Sequence, residues 1–516
     1  MLQFSTVIDY WEIIGCKAIC SDGFLSIVAL QPEHLRLFYL VQASGPAIFL
    51  FPAGESMAKT PKREMIGFEG KVLLDTLRRL YRRGATGNIR KLISKTHPAD
   101  LAWVFRSLPL IEQKKIFEII AQTNLLADFL SELDESIMVD LVEDLHPSFM
   151  ADVVTSMASD DAADLLEALP NEIAVEIRTH MEVDDRNEVE ELLKYDPETA
   201  GGIMSPEFMY LDEDLTVEEA IKKVQKRSED KEMVFYLYIT HGEGQLAGVL
   251  SLRELLMHPM HRQLKNIMNA NVISVTTDTD QEEVAHIVSQ YNLLALPVVD
   301  ATYSLVGIIT VDDVIDVIRE EATEDFLQMA GAGKDNEILL KPLHQKILLR
   351  APWLFASWIG GVAAMFIING FQYELQKVLA LASFIPIIAG MGGNIATQSS
   401  TIVVRGLATG RVNMLHFFQI VVKESLVGIA LGAMFGLLLG LLASFQYTTP
   451  LYLGLVVGIS VFAVMAMAAT VGTIVPMLLK RLNVDAAIAT GPFITTSIDV
   501  LGVSLFFTMA KILLKL

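Results

Sequence analysis

The sequence predicts a multidomain protein: a cytosolic α-helical superhelical domain, a tandem α/β pair, a connecting helix and a C-terminal all-α membrane domain of five transmembrane helices. The chain has 516 residues, 52% of them hydrophobic, which is too long for one domain and too apolar for an ordinary soluble enzyme. From residue 351 onward the charge nearly vanishes. Before that point, helical periodicity comes first and a repeated α/β pattern comes second.

The charge is divided unevenly between the two parts. Residues 1–350 contain 32 Lys and Arg against 58 Asp and Glu, whereas residues 351–516 contain 8 against 4. A soluble part this acidic repels nucleic acid and attracts cations, so we expect a divalent metal ion as partner and no nucleic acid. The two cysteines, Cys16 and Cys20, support neither a disulfide framework nor a zinc site. The soluble part is therefore predicted to be cytosolic.

Five apolar stretches are each about long enough to cross a bilayer. Basic residues lie in the loop 405–424 and at Lys480-Arg481, which predicts that both loops face the cytosol. This orientation puts residues 1–350 in the cytosol and the C-terminus outside, although Lys511 and Lys515 then lie on the less usual side. The predicted spans are 351–371, 378–404, 425–445, 451–479 and 486–510.

The first 56 residues do not resemble the rest of the chain. Their uncharged segment 37–54 would suit contact with a membrane, but we prefer to interpret residues 1–56 as an extension upstream of a chain that effectively begins near Met57. From 57 to 200 we predict one helical domain, because apolar residues recur at three- and four-residue spacing between prolines. Related phrases such as HPADLAWVF and HPSFMADVV recur in it, which is typical of a helical superhelix.

Residues 203–320 contain an internal repeat. The segment Gly248–Glu254 is mirrored by Gly307–Asp313, and each unit follows a β-α-β-β-α plan, which predicts domains at 201–265 and 266–322. The repeat resembles a tandem pair of CBS domains. In that family a Ser/Thr-x-x-Asp after the last strand often holds an adenosine ribose, so the resemblance implies an ATP site at Thr310 and Asp313. An ordinary helix N-cap at Thr310 is an equally good interpretation.

Two of the predicted spans contain polar residues. In the second span, Asn394 and Gln398 lie four residues apart on one helical face, among glycines and after Pro386. Glycines allow close helix approach and a proline frees a backbone carbonyl, so both suit a helix that lines a pore. Tight helix packing would explain the glycines equally well.

Asp499 in the fifth span is the one charged residue inside any predicted span. A carboxylate that faces lipid is costly, so Asp499 must face water or a partner; the alternative is a protonated Asp499 bonded to a neighbouring hydroxyl. Magnesium usually meets proteins through one or two carboxylates, which one aspartate per chain, doubled by a two-fold axis, would supply. The candidate pore residues are Asp499, Asn394, Gln398, Thr495, Thr496, Pro386, Gly390, Gly392, Gly393 and Pro492.

The phrases HPADLA, SDDAADLL, YDPETAGGIM, EATEDF, PIIAGMGGNIATQS and GPFITTSID resemble the MgtE family of magnesium channels and transporters, over residues 70 to 516. The resemblance implies magnesium uptake across the cytoplasmic membrane by a homodimer embedded in lipid. It implies that the second and fifth spans line the pore, with Asp499 binding hydrated magnesium.

The same resemblance implies a cytosolic gate that internal magnesium closes, with a connecting helix at 323–350 and a pore domain at 351–516. The carboxylates that match its regulatory sites are Asp128, Asp160, Asp164, Asp313, Asp316, Glu321, Glu324 and Asp325. Asn292 stands where some relatives have an acid. Ile395-Ala396 and Asp485-Ala486-Ala487 depart from the family pattern, and the second departure removes a proline from a helix start.

Two other functions fit the sequence. One is transport of another divalent cation, such as Co²⁺ or Mn²⁺, since oxygen ligands discriminate weakly among these ions. The other is a membrane-anchored nucleotide sensor, which would need neither Asp499 nor the glycine-rich second span. An enzyme is not expected, because the sequence contains no catalytic Ser-His-Asp grouping and no phosphate-binding loop.

Overall fold

The computed structural model describes residues 16–21, 24–29, 36–42, 48–52, 67–143, 145–227, 235–242, 244–446 and 452–515. The chain forms two compact units, Met1–Thr76 and Leu77–Leu516. In the first unit four strands pair antiparallel with their neighbours in chain order. They are β1 (Cys16–Ser21), β2 (Phe24–Ala29), β3 (Arg36–Gln42) and β4 (Ile48–Pro52). The segment 37–54 therefore contains most of β3 and all of β4.

A series of short helices forms the N-terminal domain of the second unit, as predicted. His97 and His146 are helix N-caps whose ring nitrogens accept hydrogen bonds from the backbone of Ala99 and Ser148. The helices are α1 (Gly67–Arg82), α2 (Thr86–Ile93), α3 (Pro98–Phe105), α4 (Leu110–Ile120), α5 (Leu126–Ser131), α6 (Glu135–Val142), α7 (Pro147–Thr155), α8 (Ser159–Ala168), α9 (Asn171–His180) and α10 (Val183–Leu192).

The tandem α/β pair comes next. Its sheets have the orders β5-β6-β7 and β8-β9-β10, each with one parallel and one antiparallel pairing. The first α/β unit of the pair comprises β5 (Tyr210–Asp212), α11 (Val217–Arg227), β6 (Tyr236–His241), β7 (Gln245–Ser251) and α12 (Leu252–Met257). The second comprises β8 (Val275–Thr276), α13 (Gln281–Tyr291), β9 (Ala295–Val299), β10 (Leu305–Thr310) and α14 (Val311–Met329).

In the α/β pair, a methionine of each α/β unit packs against a glycine of the other. The side chain of Met268 fills the space above Gly248, and Met204 fills the space above Gly307. A Cβ on either glycine would lie 2.6 Å from the methionine sulfur. These two contacts join the units and explain why both motifs recur in both repeats.

The predicted connecting helix 323–350 is divided in the structure. Its first part is the end of α14, which begins in the second α/β unit. Gly331 and Gly333 then take positive φ angles of 69° and 100°, which end the helix. The chain becomes helical again at Leu343, after Pro342, and from there runs directly into the first membrane helix.

In the part of the chain that the structure describes, five segments are long and apolar enough to cross a membrane, which agrees with the predicted number. Their helices are α15 (Leu343–Gly370), α17 (Ile385–Ala408), α18 (Phe417–Gln446), α19 (Tyr452–Arg481) and α20 (Gly491–Leu514), and the short α16 (Gln372–Lys377) follows α15. The third segment begins at Met414 rather than 425, so Lys423 and Glu424 lie within it. The helix extends upstream of the uncharged stretch because charged side chains such as those of Lys423 and Glu424 do not prevent helical hydrogen bonding.

The loops predicted to be cytosolic lie against the second α/β unit. Lys480 forms an ion pair of 3.2 Å with Glu282, and the ring of His286 covers Gly410. At the opposite end of the membrane helices, Lys511 pairs with Glu374 at 3.1 Å. This pair neutralises one of the two lysines whose position was unusual in the sequence-based topology.

Candidate functional site

Asp499 lies half-buried on α20, and within the described residues its carboxylate makes neither a hydrogen bond nor an ion pair. Two hydroxyls close to it in the chain are engaged by their own helix. Ser497 donates to the carbonyl of Phe493 at 2.8 Å, and Thr495 donates to the carbonyl of Gly491 at 3.0 Å. The arrangement therefore favours a carboxylate open to an external partner over one bonded to a neighbouring hydroxyl.

The predicted polar face of α17 is exposed in the single chain. Asn394, Gln398 and Gly390 lie on it, and a Cβ added to Gly390 would meet nothing within 4 Å. Gly392 and Gly393 instead lie on the buried face, where Gly392 packs against Val464 and Ile498. The glycine cluster thus has two roles, open surface at position 390 and close helix packing at 392 and 393.

Four other candidate pore residues have structural roles at helix starts and contacts. Pro386 and Pro492 occupy the first turns of α17 and α20, where a missing N–H is tolerated. Pro386 therefore has no α-helical turn directly before it in which to free a carbonyl, contrary to the expectation from the sequence. Thr495 packs near Gly393. The methyl group of Thr496 fills the space above Gly360 of α15, which places it on the side of the first membrane helix.

A cavity of about 530 Å³ lies between α15 and α20. Its lining includes Ala356, Gly360, Phe493, Thr496 and Leu501, and it does not include Asp499, Asn394 or Gln398. This mainly apolar cavity therefore includes Thr496 and Pro492 of the candidate pore residues and none of the three side chains best suited to meet an ion.

An interdomain carboxylate cluster forms where α8 of the helical domain approaches the start of α14. We define it as Asp160, Asp161, Asp164 and Asp313, with Asp128, Glu132, Glu207 and Glu320 around it. Of the predicted carboxylates, the structure thus brings together Asp128, Asp160, Asp164 and Asp313. Asp316 lies at the rim, where it forms an exposed ion pair of 2.9 Å with Arg319.

Burial and mutual repulsion disfavour the charged forms in this cluster. Burial, followed by repulsion from Asp161, raises the pKa of Asp160 to about 6. Burial raises the pKa of Asp313 to about 6, with Asp160 adding to the effect. Withdrawal from bulk water in the crevice, then repulsion from Asp160 and Asp161, raises the pKa of Asp164 to about 7, although part of its side chain remains accessible. Buried Asp160 Oδ1 has no hydrogen-bond partner among the described residues.

A membrane-proximal carboxylate cluster lies further along α14. It comprises Glu321, Glu324 and Asp325, together with Glu282 of α13 and Asp485 of the loop before α20. Burial raises the pKa of Glu321 to about 7 and that of Asp325 to about 6; Asp485 and Glu282 also repel Asp325. Glu324 accepts hydrogen bonds from Lys334 at 2.6 Å and Gln328 at 2.7 Å.

Sequence reasoning missed Asp161, Glu282 and Asp485. Asp161 directly follows the predicted Asp160, and this adjacency was a usable signal in the sequence. Glu282 and Asp485 join Asp325 only through folding. Among the described residues, no three His, Cys, Asp or Glu side chains are close enough to hold a bare metal ion.

The Thr310-x-x-Asp313 motif forms a capping box at the start of α14. The Thr310 hydroxyl donates to Asp313, whose carboxylate also accepts the Thr310 N–H at 3.2 Å. Ser251 and Glu254 form the same box at the start of α12. Both motifs therefore supply hydrogen-bond partners to the first backbone groups of their helices, which agrees with the interpretation of Thr310 as an N-cap. A ribose would have to compete with these bonds.

Contacts at the end of α14 connect the soluble domains to the fifth membrane helix. Gly491, at φ 53°, leaves room for the carbonyl of Met329, and Gly331 leaves room for the ring of Pro492. The side chain of Met329 packs against a cluster that includes Val404 and Ala487. The end of α14 is thus in direct contact with the beginning of the helix that contains Asp499.

Three family models match the chain. A model described as a divalent cation transporter, MgtE, matches residues 385–509, and the MgtE intracellular N domain model matches residues 96–198. The CBS domain model matches residues 200–261 and 264–320.

The chain is also similar to individual proteins. The magnesium transporter MgtE of Bacillus subtilis is 33% identical over 431 residues, which are 84% of this chain and 95% of that protein. The magnesium transporter MgtE of Thermus thermophilus is 38% identical over 337 residues, 64% of this chain and 73% of that protein. A crystal structure of the cytosolic domain of the Mg²⁺ channel MgtE in complex with ATP is 34% identical, with a TM-score of 0.45, and covers 47% of this chain and 99% of that one.

These similarities extend over the helical domain, the CBS pair and the membrane helices. The chain belongs to the MgtE family, whose members are divalent cation transporters and not enzymes.

Proposed function

We propose that this protein conducts Mg²⁺ into the cell across the cytoplasmic membrane and closes when cytosolic Mg²⁺ occupies its two carboxylate clusters. The observation that supports conduction most directly is Asp499, an unpaired carboxylate in the middle of a membrane helix. A buried charge without a partner is costly, so this position is favoured only where a cation or water meets it.

The conducting form in this proposal is a homodimer. Asn394 and Gln398 are exposed in the single chain, and polar side chains directed at lipid are unfavourable. A second copy related by a two-fold axis would cover this face and bring a second Asp499 to the same path. The C-terminus then lies on the outer side, because five helices separate it from the cytosolic domains.

The gate in this proposal is electrostatic. The carboxylates of α8 face those of α14. Burial is the first cause of their raised pKa values, and repulsion between Asp160 and Asp313 across the two helices adds to it. Divalent cations would neutralise this repulsion and hold the two domains together. Since the end of α14 contacts the start of α20, the occupied clusters would hold the fifth helix in a closed position.

A reconstituted flux assay tests the proposal. The purified chain in liposomes is supplied with Mg²⁺, Ca²⁺, Mn²⁺ or Co²⁺ outside, with and without Mg²⁺ on the side of the acidic domains. We expect Mg²⁺ to enter fastest and internal Mg²⁺ to slow its entry. Faster entry of Co²⁺ or Mn²⁺ would instead support the alternative divalent substrate, and no flux of any ion would support the membrane-anchored sensor.

A further inference from the structure

Glu424 on the third membrane helix is a carboxylate to which the proposed function assigns no role. It lies half-buried on α18, inside the apolar segment Met414–Gln446. Its Oε2 accepts a hydrogen bond of 3.0 Å from Ser399 Oγ of α17. Ser399 is only 3% exposed, so the bond joins two helices in the interior of the membrane domain.

The bond acts on the helix that presents Asn394 and Gln398. Ser399 directly follows Gln398, and successive residues point about 100° apart around a helix. A bond that fixes Ser399 on the buried side therefore fixes the direction in which Gln398 and Asn394 project on the exposed side.

The buried face of α17 combines small and branched side chains. Gly392, Gly393, Ala396 and Ser399 permit close approach, whereas Ile388 and Ile395 pack into the core of the membrane domain. The hydrogen bond of Ser399 adds a directional restraint on rotation to this non-directional packing.

The next residue of α18 provides a contrast. Ser425 and Thr470 of α19 hydrogen bond at 2.8 Å. Two adjacent polar residues of α18 thus bond to two different helices, Glu424 to the one with the polar face and Ser425 to one without it. Substitution of Ser425 is therefore a matched control for loss of a polar interhelical contact.

We propose that Glu424 is a positioning residue of the ion pathway, which sets the rotation of the second membrane helix through its hydrogen bond with Ser399. The inference rests on the proposed function, since a helix that lines no ion path needs no particular rotation. Glu424 itself does not contact the ion.

The test uses the full-length chain in liposomes and compares Ser399→Ala, Glu424→Leu and Glu424→Gln. The first two remove the bond, and we expect each to lower Mg²⁺ entry at least about tenfold, an effect of the size of one lost hydrogen bond to a charged group. The double variant should be no slower than either, because both changes remove the same interaction. Glu424→Gln retains a hydrogen-bond acceptor and should conduct at close to the wild-type rate.

Ser425→Ala should also conduct at the wild-type rate, which separates positioning from general loss of helix contacts. A fall with Glu424→Gln as large as with Glu424→Leu would overturn the proposal in favour of a charge that meets the ion directly. Normal flux with Ser399→Ala would overturn it as well. If Glu424→Leu does not fold, Ser399→Ala and Glu424→Gln still decide the matter. Failure of the proposed function itself is distinguishable, because the wild-type chain would then conduct no Mg²⁺.

Discussion

At the residue scale, the decisive contrast is between Asp499 and the polar residues beside it. Ser497 and Thr495 donate their hydroxyl hydrogens to carbonyls of their own helix, whereas the Asp499 carboxylate has no such partner in the described chain. Hydroxyls that bond within a helix are tolerated in a bilayer, but an unpaired carboxylate is not. The expected role in conduction therefore rests on a single position.

We expect Asp499→Asn to reduce Mg²⁺ entry to the background of empty liposomes. The substitution keeps the size of the side chain and removes its charge, so the ion loses the one carboxylate on this part of α20. Entry is measured with a Mg²⁺-sensitive dye in the lumen. Ser497→Ala, which removes only an intrahelical bond, is the control and should retain wild-type entry. Unimpaired flux through Asp499→Asn would exclude a role for this carboxylate.

Asp499 was identifiable from sequence because a lone charge in an apolar stretch is a local signal. Glu282 and Asp485 gave no such signal, since each is an ordinary surface acid until folding brings both to Asp325. Glu424 was placed in a loop because the apolar stretch begins just after it, although the helix begins earlier. Local patterns thus reveal what is unusual in the chain, and long-range proximity stays hidden.

At the element scale, the closest helix contact in the membrane domain joins α18 to α19. Gly428, Gly432, Gly436 and Gly440 recur every four residues along α18 and let the backbone of α19 approach. A Cβ on Gly436 would lie 2.5 Å from the carbonyl oxygen of Gly458. Close packing through glycines was expected only in the second span, so the contact between α18 and α19 was not predicted.

Gly436→Ala should lower the free energy of unfolding of the membrane domain by about 1 to 3 kcal/mol, the usual cost of overpacking. The methyl group would meet backbone, which cannot move aside as a side chain would. Thermal unfolding in detergent measures the change. Gly361→Ala is the matched control, because a Cβ there meets nothing within 4 Å. Equal midpoints for the two variants would contradict the contact.

Gly491→Ala should weaken inhibition by internal Mg²⁺ more than it alters the maximal rate. Its positive φ and the nearby Met329 carbonyl leave no room for a methyl group, so the end of α14 would separate from the start of α20. The measurement is Mg²⁺ entry against internal Mg²⁺ concentration. Gly370→Ala, in open space at the end of α15, should leave the inhibition curve unchanged. An unchanged curve for Gly491→Ala would remove this contact from the gate.

At the scale of the whole molecule, the excess of acid before residue 350 collects at two places where domains meet. Burial raises the pKa of Glu321 to about 7 and that of Asp160, Asp313 and Asp325 to about 6. The assembled domains therefore bind protons more tightly than separated ones. It follows that their association is most stable at low pH and weakens as pH rises through these values.

Without Mg²⁺, the thermal unfolding midpoint of the cytosolic domains should be higher at about pH 5.5 than at about pH 7.5, because the raised pKa values favour the protonated, assembled state. Millimolar Mg²⁺ should shrink the difference, since the ion replaces the protons. Asp160→Asn combined with Asp164→Asn should shrink it too. Asp152→Asn, at an exposed carboxylate of α7, should leave it unchanged. A midpoint that rises with pH in Mg²⁺-free buffer would contradict this account.

Both carboxylate clusters share one helix. Asp313 stands near the start of α14 and Asp325 near its end, on a single unbroken run of 19 residues. A helix this short behaves as a rigid body, so in the proposed gate cations at one cluster would restrict the orientation of the carboxylates at the other. The affinities of the two clusters would then rise together and reciprocally. Inhibition by cytosolic Mg²⁺ should accordingly be cooperative within one chain, with a Hill coefficient above unity even before a second subunit contributes.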